Sequence, residues 1–177
     1  MADPVASRWP LTFGVALVVV ALDQATKALV DARMTLHESI PLIDGLLSLT
    51  YVRNTGAAFG LLAGRIAAPL RVPFFLVVAG GAVALLTWFV RSVPAERRLI
   101  LAACGGVLGG AIGNMIDRVT LGSVIDFVDV YVGAYHWPTF NVADSAITGG
   151  VIVLCADALW GPAPAPEEAA NGGPESG

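Results

Sequence analysis

Four long apolar runs constrain this chain more than any other feature. They cover residues 9–30, 72–90, 99–116 and 142–160, and each is close to the roughly 20 residues that a helix needs to cross a bilayer. The composition agrees, because 56% of the residues are hydrophobic and only 14% are charged, against about 25% charged in typical soluble domains. The sequence therefore predicts an all-α polytopic membrane protein with four transmembrane helices.

The first apolar run has an alternative interpretation as a cleaved signal peptide. Arg8 and the following LTFGVALVVVAL have the basic start and apolar centre of such a segment. No convincing small-residue cleavage site follows, and a helical pattern continues to Lys27. We therefore interpret the run as a permanent span.

Two charges lie near the end of this first span. Asp23 and Lys27 are four residues apart, so they share one helix face in the order that favours an ion pair. They can form a buried pair that neutralises itself, or they can serve a functional site directly. The sequence leaves both interpretations open.

Residues 31–71 are punctuated by proline and glycine and do not span. Within them, LLSLTYVRN reads as an extended strand that leads into a turn at residues 54–56. This predicts a small extramembrane β-structured platform between helices 1 and 2. Asn54 and Gly56 fit a plain turn, and they equally fit a close approach of the backbone to a ligand.

Glycines mark the third span as the central one. Gly105, Gly109 and Gly113 recur at every fourth position. Small residues at that spacing let a helix backbone pack closely against a neighbour in the membrane.

The loop between spans two and three indicates the orientation. The arginines of the two sides are nearly balanced, four on the side of this loop and five on the other. The loop is short, however, and carries Arg91, Arg97 and Arg98, and short basic loops favour the cytoplasmic side. With four spans, both termini are then cytoplasmic. The chain has no basic cluster of the kind that binds nucleic acid, and its formal net charge is -4.

Acidic residues are concentrated in one polar segment, residues 113–145. Asp117, Asp126, Asp129 and Asp144 lie there between apolar runs, and ionised groups near lipid are costly and tend to be functional. Helix capping is the simpler explanation for one of them, since Asp144 falls three residues after Asn141, as in a capping box. Capping does not explain the other acids.

Paired carboxylates can hydrolyse an amide bond without further groups. Two of them held close share one proton, so that one acts as a base on water while the other polarises the carbonyl. The chain has no Gly-x-Ser-x-Gly or HExxH motif, its cysteines lack metal-ligand spacing, and we interpret His37 and His136 as loop residues. An ion or proton transporter that uses intramembrane carboxylates is the alternative function, and a non-catalytic scaffold is a third.

Five sequence blocks make the interpretation specific. They are DQATK at 23–27, NTGAAFG at 54–60, GNMIDR at 113–118, VIDFVD at 124–129 and FNVADS at 140–145. In content and order they resemble the signature blocks of lipoprotein signal peptidase, also called signal peptidase II, over roughly residues 9–160. That family consists of bacterial intramembrane aspartic peptidases.

The resemblance implies a set of site residues. The catalytic pair falls on Asp126 and Asp144, with Asp117 as the competing candidate. Supporting or substrate-binding roles are implied for eight residues: Asp23, Lys27, Asn54, Gly56, Asn114, Asp117, Arg118 and Asn141. If Asn141 caps the fourth span, the helix dipole favours the charged form of Asp144, so we expect the shared proton on Asp126.

The resemblance also implies the setting in which the protein works. Its substrates would be diacylglyceryl-modified prolipoproteins, cut just before the lipidated cysteine, with no metal or cofactor. The protein would be a monomer in contact with membrane lipid in the bacterial cytoplasmic (inner) membrane, with its active site toward the outer face. We expect residues 1–161 to form a single peptidase domain and residues 162–177 a disordered tail.

Overall fold

The computed structural model describes residues 8–56 and 68–160. The helices are α1 (Arg8–Arg33), α2 (Ala68–Val90), α3 (Arg98–Leu121) and α4 (Val142–Trp160). The strands are β1 (Ser39–Ile43), β2 (Leu47–Asn54), β3 (Val124–Val132) and β4 (Tyr135–His136). All four helices are long and apolar enough to cross a membrane, which confirms the four predicted spans. The predicted tail and residues 57–60 of the NTGAAFG block lie outside the described residues.

Helix α3 extends beyond the apolar run that predicted it. Beyond that run the helix carries Asp117 and Arg118 and continues to Leu121, and Gly122, with a left-handed backbone (φ 71°), forms the C-cap. Hydropathy does not detect this extension because it begins with charged residues. As a result, part of the polar segment is rigid helix rather than a connection.

The prediction that the third span is central is confirmed. Of the most apolar 18 residues of α3, 61% are buried, against 22% in α1, 11% in α4 and 0% in α2. Helices α1 and α4 both pack against α3, and α2 packs against it less extensively. Helix α3 is thus the scaffold on which polar groups from two other helices meet.

The glycines of α3 permit these close contacts. A Cβ atom added at Gly105 or Gly109 would lie only 2.5 or 2.6 Å from a backbone oxygen of α1. At Gly113 it would lie 2.5 Å from the Asp23 carboxylate. Any side chain at these positions would separate α1 from α3, so the glycines set the distance at which the polar groups of the two helices meet.

The β-structured platform is confirmed, and it is larger than the sequence indicated. The sheet is antiparallel in the order β1-β2-β3-β4, so half of it comes from the connection between α3 and α4. Strand β2 pairs with β3 through Val52 opposite Asp126 and Asn54 opposite Val124. This pairing brings the end of β2 beside the acidic segment. His136, interpreted as a loop residue, lies on β4.

Polar and apolar contacts fasten the sheet to α1. Val30 of α1 packs against Tyr51, Ile125 and Phe127 of the sheet. Arg53 forms an ion pair with Asp31 at 2.7 Å and donates to the Tyr51 hydroxyl at 2.8 Å. These contacts fix the position of β2 and β3 relative to the helices.

Different contacts close the opposite end of the helix bundle. Arg8 donates to the backbone carbonyl of Arg91, and Arg97 forms an ion pair with Asp157 of α4. The basic loop at residues 91–97 therefore lies at one end of the bundle. The sheet and the polar segment lie at the other.

Candidate active site

All ten predicted site residues meet where the sheet joins the helix bundle. They come from α1, the end of β2, the last turns of α3, β3 and the start of α4, and a continuous chain of hydrogen bonds and ion pairs links them. Residues separated by more than a hundred positions thus share one polar site. The roles of its members follow from their different partners.

Asp126 is a buried carboxylate whose nearest partners are amides. Its two oxygens accept hydrogen bonds from the side-chain nitrogens of Asn54 at 2.9 Å and Asn141 at 2.7 Å. Burial raises the pKa of Asp126 to about 7; the Asn54 hydrogen bond opposes the shift, and the negative charge of Asp144 adds to it. At neutral pH this group is poised between its acid and its carboxylate form.

Asp144 lies in the first turn of α4, as the capping prediction required. Its backbone N–H donates to the Asn141 side chain at 2.9 Å, and its carboxylate accepts the Asn141 backbone N–H at 3.3 Å. These reciprocal bonds form a capping box. The other oxygen of Asp144 accepts from the Asn114 amide at 2.8 Å, so capping accounts for only part of the environment of this side chain.

Two asparagines connect the two carboxylates. The Asn141 amide nitrogen is shared between Asp126 and the Asn114 oxygen, which lies 3.2 Å away. The Asn114 nitrogen donates to Asp144. The path from Asp126 to Asp144 therefore runs through two amide groups, which orient both carboxylates without supplying a positive charge.

Lys27 forms the centre of a different arrangement. Its ammonium group lies 2.8 Å from Asp23, 3.0 Å from Asp117 and 2.9 Å from the Asn114 oxygen. The Lys27 side chain is 2% exposed, and both carboxylates are equally buried. The predicted Asp23–Lys27 pair is real, but Asp117 completes it as a three-charge cluster.

The same cluster holds the backbone beside each member of the other pair. Asp23 accepts the N–H of Ala143, the residue before Asp144, at 2.9 Å. Asp117 accepts the N–H of Ile125, the residue before Asp126, at 3.0 Å. Because Lys27 joins the two acceptors, this cluster sets the separation between the two backbone positions. We call Asp23, Lys27 and Asp117 the lysine cluster.

A cavity of about 610 Å³ opens beside Asp126 and Asp144. Asn54, Gly56 and Arg118 also line it, and the rest of its wall comes from Phe75 of α2, the outer face of α4 and residues 137–140. The Arg118 guanidinium lies 4.8 Å from the centre of the Phe75 ring and donates to the Asn114 carbonyl at 3.0 Å. The members of the lysine cluster do not line this cavity.

Sequence reasoning missed several residues of this site. Gln24, which donates to Asp117 at 2.9 Å, lies inside the DQATK block but lacks a charge that would attract attention. Phe75, Trp137 and Pro138 line the cavity, yet as apolar residues in a span or a loop they give no sequence signal. Within residues 8–56 and 68–160, no three His, Cys, Asp or Glu side chains are placed to share a metal ion.

Known proteins similar to this chain belong to one family. The family model described as signal peptidase (SPase) II matches residues 15–160. Lipoprotein signal peptidase of Geobacter sulfurreducens is 50% identical over 145 residues, which cover 82% of this chain and 89% of that protein. The lipoprotein signal peptidase of Syntrophotalea carbinolica is 51% identical over 140 residues, or 79% and 85% of the two chains.

Two solved structures are also similar, both described as a bacterial membrane enzyme determined by the in meso method. The one at 1.9 Å resolution has a TM-score of 0.74 and 33% sequence identity, and the match covers 85% of this chain and 94% of that one. The one at 2.3 Å has a TM-score of 0.73 and 34% identity, with 84% and 87% covered. The family match, the close relatives and the shared fold show that this chain belongs to the signal peptidase II family.

Proposed function

We propose that Asp126 and Asp144 are the catalytic pair of this bacterial multi-pass membrane peptidase. As a signal peptidase II, the protein removes signal peptides from prolipoproteins. One observation carries the assignment: these two acids line the cavity and are oriented by amides, whereas Asp23 and Asp117 are paired with Lys27 away from it. Family membership leaves the transporter alternative without support.

The proposed reaction begins with one proton on the pair. Asp144 starts ionised, because the first-turn amides and the dipole of α4 favour negative charge, and it takes a proton from water as the water oxygen attacks the amide carbon. Asp126 starts protonated, in keeping with its pKa of about 7, and gives its proton to the carbonyl oxygen. The result is a neutral tetrahedral diol held between both side chains.

Collapse of the diol completes the cycle. One hydroxyl returns its proton to Asp126 as the carbonyl re-forms, the carbon–nitrogen bond breaks, and Asp144 passes its proton to the leaving nitrogen. In this scheme Asn54 and Arg118, which face the same cavity, hold the substrate backbone. The apolar wall from α2 and α4 suits a lipidated peptide that approaches from the bilayer.

Cleavage of a purified diacylglyceryl prolipoprotein tests the assignment. In proteoliposomes the wild type should release a product that begins with the lipidated cysteine, as read by mass spectrometry. Asp126→Asn and Asp144→Asn should each lower the rate by at least about a thousandfold while remaining folded, because each removes a proton-transfer group. Substantial cleavage by either folded variant would contradict the pair.

We further propose that both termini are cytoplasmic, that the site faces the outer side, and that one chain forms the whole site as a monomer. The dense basic loop at 91–97, at the end opposite the site, supports this orientation. A reporter fused after Gly177 or inserted at Pro94 should be cytoplasmic, and one inserted near Gly64 should be external. The opposite labelling would place the acids away from exported substrates and refute the orientation.

A further inference from the structure

The short connection between β4 and α4 forms part of the walls of two cavities. A second cavity, of about 440 Å³, adjoins the one described above. The two share Asn54, Asp126 and residues 137–139. Because Asp126 is one of the two proposed catalytic residues, residues 137–139 lie close to the place where a substrate bond is cleaved. We call residues 137–139 the junction loop.

The backbone of the junction loop is fixed to the sheet at both ends. At its start, the N–H of Trp137 donates to the Val130 carbonyl at 2.8 Å. Directly after it, the N–H of Phe140 donates to the Val128 carbonyl at 3.1 Å. Between these bonds Pro138 restricts the backbone further, because its ring fixes φ. The loop therefore presents its side chains to the two cavities from a defined position.

Trp137 is the largest side chain of the junction loop, and it is 59% exposed. Among the residues that the structure describes, none accepts a hydrogen bond from its indole N–H. An indole combines a large apolar ring with one polar N–H, which suits it to the boundary between lipid and water. An indole on a fixed backbone at the rim of a cavity, with its N–H unused, is well placed to contact a ligand.

The first cavity extends from the junction loop toward the interior of the membrane. Its wall includes Phe75 of α2 and Ile147 and Ile152 of α4, and both helices are long and apolar enough to span. Ile152 is eight residues beyond Asp144, which is about 12 Å along an α-helix. The lining residues of the second cavity come from the sheet and its loops. The junction loop thus lies where the wall changes from spanning helix to extramembrane sheet.

From this arrangement we infer that Trp137 recognises the glyceryl ester linkage of the lipid carried by the precursor. The inference rests on the proposed function, which places the lipidated cysteine beside Asp126. When the acyl chains of such a lipid lie against the apolar wall between α2 and α4, its ester groups lie at the level of the junction loop. Ester carbonyl oxygens are stronger acceptors than ether oxygens, and the indole N–H only donates. Trp137 therefore favours an ester-linked lipid over an ether-linked one.

Cleavage of two matched precursors tests this recognition. They differ only in the lipid on the cysteine, which is a diacylglyceryl diester in one and a dialkylglyceryl diether with chains of equal length in the other. The wild type should show a kcat/KM for the diester at least about threefold above that for the diether, in the range of one neutral hydrogen bond. The difference should appear mainly in KM, because this contact is remote from the bond that breaks.

Substitution of Trp137 should remove this preference. Trp137→Phe keeps an aromatic ring without the N–H, so the ratio of the two kcat/KM values should fall toward one, chiefly through slower cleavage of the diester. Trp137→Ala should give the same ratio and lower kcat/KM for both precursors, because the ring contact is lost as well. The control is Trp160→Phe, the same substitution at an 80% exposed position that lines neither cavity. It should leave the ratio unchanged.

The inference and the proposed function fail in different ways. Equal kcat/KM for the two precursors in wild type, or an unchanged ratio in a Trp137→Phe variant whose melting temperature shows that it is folded, would overturn the role of Trp137 even if Asp126→Asn is inactive. An equal loss for both precursors in Trp137→Phe would also overturn it, since the indole would then act on bilayer lipid or on the loop itself. If wild type cleaves neither precursor, or Asp126→Asn cleaves normally, the proposed catalytic pair is wrong.

Discussion

The four aspartates of the site fall into two regions with different electrostatic surroundings. Asp23 and Asp117 share Lys27 and also hold backbone amides. Asp126 and Asp144 receive hydrogen bonds from asparagines and line a cavity. Among the residues that the structure describes, a cation contacts both members of the first pair directly and neither member of the second.

This difference in partners separates the residues that position the site from the two that are proposed to react. The carboxylates of Asp23 and Asp117 are occupied by the Lys27 ammonium group and by backbone N–H groups. A carboxylate held by neutral amides keeps its orientation in either protonation state. In the proposed mechanism the lysine cluster thus fixes where Asp126 and Asp144 lie, while the asparagines leave one proton free to move between substrate, water and the pair.

The largest expected loss of stability follows from removing the Lys27 cation from the lysine cluster. Lys27→Met leaves two buried carboxylates without a counter-ion, and loss of one partner from a buried ion pair typically costs about 3–5 kcal/mol of stability. We expect little folded protein and a sharply lower melting temperature in detergent. A variant with normal stability would mean that the cluster does not hold the fold.

A charge-neutral variant provides the control for that experiment. Lys27→Met combined with Asp23→Asn and Asp117→Asn removes all three charges, while each asparagine keeps an oxygen that can accept the N–H of Ala143 or Ile125. We expect this variant to recover part of the melting temperature lost by Lys27→Met alone. Equal losses would indicate that the packing of Lys27, rather than its charge, is what matters.

Substitution of Asp126, in the second region, should change stability less than Lys27→Met does, and it should stabilise the protein. The pKa of Asp126 is about 7 when folded, against 3.8 for an ordinary aspartate. Between these values the folded protein holds a proton that the unfolded chain releases, so wild-type stability falls as pH rises from about 4 to about 7. Asp126→Asn has no such loss and should be more stable than wild type at pH 8, by part of the roughly 4 kcal/mol that a pKa shift of this size represents.

Thermal melts across pH check this prediction. The difference in melting temperature between Asp126→Asn and wild type should be several degrees at pH 8 and shrink toward zero at pH 4 to 5, the lower limit set by other acids. A difference that does not depend on pH, or a more stable wild type at pH 8, would show that ionised Asp126 does not lower the stability of the folded protein.

Much of the fold could be predicted because its signals are local. Hydropathy located four spans, and the glycine spacing of α3 identified the central helix. Strand β3 was missed because Val124–Val132 lies in a segment where acids and motifs drew the interpretation toward a connection. The sheet that contains it depends on pairing with β2, some 70 residues earlier, which no local pattern reveals.

The site shows the same limit. The motif blocks named residues that the structure brings together, but sequence could not tell a carboxylate that pairs with Lys27 from one that faces a cavity. Asp117 and Asp126 are nine residues apart and equally acidic. The turn at Gly122 and the direction of β3 give them different surroundings, and only the packed structure contains that information.

The most direct test of this account compares Asp117→Asn with Asp126→Asn in parallel, measuring cleavage of a diacylglyceryl prolipoprotein per mole of folded protein together with the melting temperature. The account predicts that Asp126→Asn is inactive and at least as stable as wild type at pH 8, whereas Asp117→Asn has a lower melting temperature but retains measurable cleavage. If Asp117→Asn is folded and inactive while Asp126→Asn cleaves, the two regions have been assigned the wrong roles.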